Sequence, residues 1–128
     1  MKTDQYLRVV IADDQPLIRS GLEAFLMIFG EMRLVGEAQD GKEVLELCDL
    51  VEPDVVLMDV DMPRMGGMEA TRQIGKRWPK IKVVLLGDSK EPGVVQASLD
   101  AGAALYLTKD IAANDLDQAI HKIFEHLR

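Results

Sequence analysis

Residues 55–67 read VVLMDVDMPRMGG: an apolar run stops on Asp59, a second acid follows at Asp61, and Pro63 and two glycines come after. Two chemistries suit an acid in that place. Either Asp59 attacks a phosphate ester with Asp61 as proton donor, or Asp59 itself takes and keeps a phosphoryl group. Two further acids, Asp13 and Asp14, close the run Leu7–Ala12, and Lys109 follows the run 104–107. Brought together, three carboxylates ~5 Å apart would repel by roughly 3 kcal/mol per pair at an effective dielectric of about 20. A hard divalent cation such as Mg²⁺ relieves that repulsion, because it takes oxygen ligands, holds one or two carboxylates and keeps waters that a phosphoryl oxygen can replace. Lys109 supplies a compact positive charge able to pair with Asp59 before reaction and with a phosphoryl group afterwards. Acids, cation and amine together would stabilise the charge of a phosphoryl group passing to an Asp59 oxygen.

The elements that must position these groups alternate along the chain. Leu7–Ala12 is rich in β-branched residues and reads as a strand. Pro16 suits a first helical turn, and Leu17, Gly21, Leu22, Phe25, Leu26 and Phe29 follow at helical spacing up to Gly30. A weaker strand covers 33–38, and Asp40 is the expected N-cap of a helix carrying Val44, Leu45, Cys48 and Val51. Val55–Met58 is a third strand, 68–78 a helix stopped by Pro79, and Val83–Leu86 a fourth strand. A short helix over 94–101, a strand over 104–107 and a final amphipathic helix striped by Leu116, Ala119, Ile120, Ile123, Phe124 and Leu127 complete the series. Five β-α units with continuous apolar strands imply a doubly wound, five-stranded parallel sheet covered by helices on both faces. Chemistry in such a sheet sits outside the carboxyl ends of the strands, where the strand order reverses. Taken singly, an Asp-Asp pair is an ordinary helix cap and Lys109 an ordinary surface residue. Their coincidence at three strand ends favours a site.

Composition narrows the classes. At 128 residues and 48% hydrophobic, one globular domain over 1–128 is expected. No apolar stretch is long enough to span a bilayer, and MKTDQYLRVV has no signal-peptide core, so the cytoplasm is the expected compartment and no membrane partner is expected. The net charge of −7 opposes direct nucleic-acid binding by these residues. Cys48, the single cysteine, sits among apolar residues and reads as a small core residue. His121 and His126 read as surface residues of the last helix.

The stretches VVIADDQPLIRSGL, VVLMDVDMPRMGGMEAT and AGAALYLTKD together resemble a response-regulator receiver domain of two-component systems, over essentially the whole chain. The last stretch, with Lys-Asp where many receivers have Lys-Pro, is closest in wording to the LuxR/NarL-type subfamily. The resemblance implies the flavodoxin-like (βα)5 fold with strand order 2-1-3-4-5. It implies that Asp59 is the phosphoacceptor, Asp14 the more direct Mg²⁺ ligand, Asp13 an indirect one and Asp61 a ligand through its backbone carbonyl. Lys109 matches the lysine that pairs with the phosphoryl group, and Tyr106 the aromatic switch whose ring moves between inward and outward rotamers. The implied donor is a phosphohistidine on a sensor histidine kinase, and the domain assists its own modification without being a turnover enzyme. Receivers of this subfamily usually precede a helix-turn-helix DNA-binding domain, so a transcriptional output is implied. Homodimerisation through the first and last helices, or through the fourth-helix face, is left open.

Two departures matter. Gly87 stands where receivers carry a Ser or Thr whose hydroxyl bonds the phosphoryl oxygen, and it retains only its backbone N–H as donor. Ser89 could substitute only through a two-residue bulge; Asp88 would disfavour a phosphoryl group if it pointed inward; Gly66 in place of the usual Asp or Asn implies a minor loop change. The expectation is that Asp59 accepts a phosphoryl group while switching is weak or takes another route. A phosphorylation-independent interaction module is the rival. A haloacid-dehalogenase-like phosphatase would need its Asp-x-Asp after the first strand and a second acid pair, and position 92 is proline. A flavodoxin-like cofactor binder is opposed by the acids of Asp13-Asp14-Gln15-Pro16, which would repel a phosphate.

Overall fold

The computed structural model describes residues 6–29 and 31–124. β1 (Leu7–Ala12), β2 (Met32–Ala38), β3 (Val55–Asp59), β4 (Lys82–Gly87) and β5 (Leu105–Thr108) pair in parallel in the order β2-β1-β3-β4-β5. The chain therefore leaves β1 for one edge, returns, and builds outward from the other side of β1. The order reverses between β1 and β3, so the residues following Ala12 and Met58 meet at the switch point.

Side-chain alternation along the strands divides the core. Val9, Ile11, Val55, Leu57, Val84 and Leu86 face α1 (Pro16–Ile28) and α5 (Ala113–Phe124), which contribute Phe25, Leu26, Leu116 and Ile120. Val10, Ala12, Val56, Met58, Val83 and Leu85 face α2 (Gly41–Val51) and α3 (Gly67–Arg77), which contribute Val44, Cys48, Ala70 and Ile74. The inner strands β1, β3 and β4 carry continuous buried apolar runs because both faces of the sheet are covered, whereas the edge strand β2 exposes Arg33 and Glu37. Cys48 is fully buried in the second layer, and burial pushes its thiol up to about 11.

The elements match the expected order with shifts at their ends. β2 begins at Met32, β5 is displaced one residue toward the C-terminus, and α4 (Pro92–Asp100) starts two residues before Val94. Pro92 opens α4 because its fixed φ is already helical and its missing N–H has no partner to lose there. Leu17 does not join the core stripe and is 82% exposed. Gly30, His126 and Leu127 lie outside the described residues.

His121 is not a free surface residue. Its Nδ1 lies 2.9 Å from the Asp117 carbonyl and 3.1 Å from the Asp117 carboxylate, and its Nε2 meets the Glu31 carboxylate. The ring thus pins α5 to the turn before β2. Burial opposes its charge, but Asp117 and Glu31 outweigh burial and hold the imidazole above its ordinary value of 6.5. Protonated His121 therefore contributes stability below that value, and the contribution is lost as pH rises through the folded-state value. Urea unfolding of His121→Gln is expected to show a flatter loss of stability than the parent from about pH 6 to 8. Parallel slopes for the two proteins would remove His121 as the source.

Candidate functional site

The site is built from what ends β1, β3 and β5. Asp13 is buried: its N–H donates to the Ala38 carbonyl at 3.1 Å, and its Oδ1 accepts the Gln15 N–H at 2.9 Å. These two bonds leave Oδ2 directed at Lys109. Asp14, the next residue, projects into solvent. Asp59, the last residue of β3, is only 4% exposed and stands beside Leu86 of β4 in the ladder. Its Oδ1 accepts the Asp61 N–H at 3.3 Å.

Lys109 binds the cluster together. Its Nζ is 3.1 Å from Asp59 Oδ1 and 3.3 Å from Asp13 Oδ2, and its backbone N–H donates to the Gly87 carbonyl at 2.9 Å. One ammonium therefore serves two buried carboxylates. Burial is the main cause that holds the Asp59 carboxyl above its ordinary range; the Asp13 charge adds to it, while Lys109 and the Asp61 N–H pull the other way. Burial alone would depress Lys109, but Asp59 and Asp13 more than offset it and keep the amine cationic.

Oxygen atoms of Asp13, Asp14 and Asp59 all lie within 4.8 Å of one another. Asp14 also borders an open cleft of about 370 Å³ whose other wall is Val60, Asp61, Met62, Pro63 and Gly66. A set of carboxylate oxygens with one amine for three acids, beside a cleft, suits a small hard cation that keeps several waters. The residues fit Mg²⁺.

Around this cluster, the residues singled out in β4 and β5 are arranged in a way their spacing does not reveal. β4 runs in register through Gly87 without a bulge, and the Ser89 hydroxyl accepts the Glu91 N–H at 3.1 Å, so Ser89 does not replace the absent hydroxyl. Asp88 is exposed. Tyr106 instead fills the space beside Gly87. A Cβ on Gly87 would come 2.4 Å from Tyr106 Oη and 3.1 Å from two ring carbons. The same hydroxyl donates to the Ser89 carbonyl at 2.6 Å. Burial, and then the charges of Asp88, Asp61 and Asp59, hold the phenol above its ordinary value. Gly66 precedes α3 as an N-cap with no side-chain bond, consistent with a minor change in that loop.

Fold and site together define a doubly wound α/β domain with an acid cluster and one opposing lysine at its switch point. Residues 9–121 match the family model of the response regulator receiver domain, and the chain belongs to that family. It is 39% identical over 118 residues to the response regulator GacA of Pseudomonas aeruginosa, covering 92% of this chain and 55% of that protein. It is 35% identical over 114 residues to the transcriptional regulatory protein LnrK of Bacillus subtilis, covering 89% of this chain and 52% of that protein. The chain thus spans about half the length of the curated relatives it matches. A two-component response regulator of the LuxR family from Aurantimonas sp. SI85-9A1 superposes with a TM-score of 0.89 at 30% identity, over 94% of this chain and 86% of that one. Among the described residues, no helix is long and apolar enough to cross a membrane.

Proposed function

We propose that Asp59 accepts a phosphoryl group from a phosphohistidine of a sensor kinase. The observation that carries this reading is the shared ammonium: Lys109 Nζ lies 3.1 Å from Asp59 and 3.3 Å from Asp13, within a cluster suited to a hard cation. An Asp59 oxygen attacks phosphorus, the phosphorus–nitrogen bond breaks, and the imidazole leaves with the electron pair, giving an acyl phosphate. Asp14, Asp59 and the Asp61 carbonyl would hold Mg²⁺, with Asp13 supporting it indirectly. Bound there, the ion would neutralise charge on the transferring phosphoryl oxygens. Lys109 orients Asp59 before transfer and pairs with the phosphoryl group after it; the Gly87 N–H, expected from the sequence as a further donor, lies on the β5 side of β4 with its carbonyl, which accepts from the Lys109 N–H. Each transfer changes this chain itself, so the domain assists its own modification rather than turning over a substrate.

The whole protein is proposed to act in the cytoplasm and to regulate transcription, a reading supported by the names of its relatives. DNA contact would be made outside residues 1–128, whose charge of −7 repels a phosphate backbone. The test is intact-mass spectrometry after incubation with acetyl phosphate and Mg²⁺. A gain of one phosphoryl group that maps to Asp59, and that does not form when a chelator is present during the incubation, is expected; no gain with Mg²⁺, or a gain mapped elsewhere, would sink the reading.

A second reading, a module that binds its partner without phosphorylation, is favoured by the Tyr106 hydroxyl standing where a residue-87 side chain would be. It requires partner binding to be unchanged in Asp59→Asn.

A further inference from the structure

We propose that Arg64 is a positioning residue for cation binding, acting through Asp40 as a latch on the loop between β3 and α3. The proposal rests on the cation site at the acid cluster. Val60, Asp61, Met62, Pro63 and Gly66 of that loop line the cleft with Asp14. At its outer bend Arg64 has φ 64°, in the left-handed region that non-glycine residues seldom occupy. Glu52 is the other described non-glycine residue with positive φ, and it closes α2 as a C-cap, where that conformation is routine. Arg64 closes no helix. Such a conformation persists only where its surroundings over-determine it.

The surroundings here are the N-terminus of α2. Arg64 Nε donates to Asp40 Oδ2 at 2.8 Å, and Nη2 contacts the same oxygen. Asp40 is fully buried, and its Oδ1 caps α2 by accepting the Glu43 N–H at 3.0 Å. One residue on, the Gly41 N–H donates to the Met65 carbonyl at 2.8 Å. A Cβ on Gly41 would come 2.6 Å from that oxygen, so the approach requires glycine. The N-cap and the first residue of α2 thus grip two consecutive residues of the loop.

The inner side of the loop carries the consequence to the site. Asp61 donates its N–H to Asp59 Oδ1 at 3.3 Å, and the Gly67 N–H closes the loop onto the Val60 carbonyl at 2.9 Å. Arg64 itself is mostly exposed and does not line the cleft, so it reaches the cluster only by fixing this loop. A helix cap does not need the Asp40 charge, since Asn caps as well as Asp. The buried charge at 40 is explained by the guanidinium it holds. Partners outside the first ligand shell that orient a metal site commonly change its affinity by an order of magnitude or more.

The test is an Mg²⁺ titration of the metal-free protein followed through the amide resonances of Asp14, Asp59 and Asp61. Arg64→Gln and Asp40→Asn are each expected to weaken Mg²⁺ about tenfold, and the double variant no further than either single one. In metal-free protein, amide exchange at Gly41 and Gly67 is expected to accelerate. Arg64→Lys is expected to recover part of the affinity. Unchanged Mg²⁺ affinity in either single variant, full additivity in the double, or no Mg²⁺ binding by the parent would overturn the latch. A parent that binds Mg²⁺ but takes no phosphoryl group defeats the acceptor reading alone and leaves the latch standing.

Discussion

Asp59→Asn is expected to abolish phosphoryl uptake and, at neutral pH without metal, to make the protein harder to unfold. The amide keeps the shape of the carboxyl and loses its charge. In the parent, that charge is nearly out of water at 4% exposure and close to two other acids. A carboxyl held above its ordinary value of 3.8 is one whose ionised form the fold disfavours relative to the unfolded chain. Its ionisation therefore costs stability as pH rises from 3.8 through the folded-state value, and the advantage of Asn is full above that window and absent below 3.8. Lys109 is not orphaned by the change, because Asp13 remains 3.3 Å away. Mg²⁺ should narrow the gap, since an ion bound only by the folded state stabilises the parent more than a variant lacking one ligand charge. Urea unfolding at pH 7 and below pH 4, with and without Mg²⁺, measures all three effects. An Asn variant less stable than the parent in metal-free buffer at pH 7 would show that pairing with Lys109 outweighs burial and repulsion.

Gly87→Thr is expected to drive Tyr106 out of its present position and break its hydrogen bond to the Ser89 carbonyl. A Cβ at residue 87 cannot coexist with a phenol oxygen 2.4 Å away. The backbone of β4 is held by β3 on one side and β5 on the other, whereas the Tyr106 ring is the free end of a side chain at the sheet edge. The ring should yield, not the strand. In the parent, beryllofluoride with Mg²⁺ is expected to shift resonances around Asp59 and Lys109 while leaving Tyr106 and Ser89 nearly still, because the ring already occupies the space beside residue 87. In Gly87→Thr, Tyr106 should start outside and respond. Large, matching shifts around Tyr106 in both proteins would refute the idea that Gly87 weakens the link between Asp59 and this ring.

The architecture was legible because its signals are local. Apolar runs such as Val9–Ala12 and Val55–Met58 carry no polar alternation, which only a sheet covered on both faces allows. Helices between successive strands force parallel pairing, and the reversal between β1 and β3 then brings Asp13, Asp14 and Asp59 to one edge. Apolar spacing does not mark the start of α4, because Pro92 opens the helix ahead of its first apolar residue. Spacing within α5 does not reveal the packing of His121, because its partner Glu31 is ninety positions away in the chain and belongs to a turn with no pattern of its own.

Periodicity and residue type, which are properties of short windows, specify the alternation of strands and helices and the acids and lysine at the strand ends; the strand order is implied by the family resemblance and observed in the sheet. What the neighbours of those groups do is settled by packing between elements. That Tyr106 occupies the space left by Gly87, that one ammonium bridges Asp59 and Asp13, and that Arg64 reaches the Asp40 carboxylate are contacts between different elements. Their existence depends on register and loop path to within an ångström, which residue type and spacing do not specify.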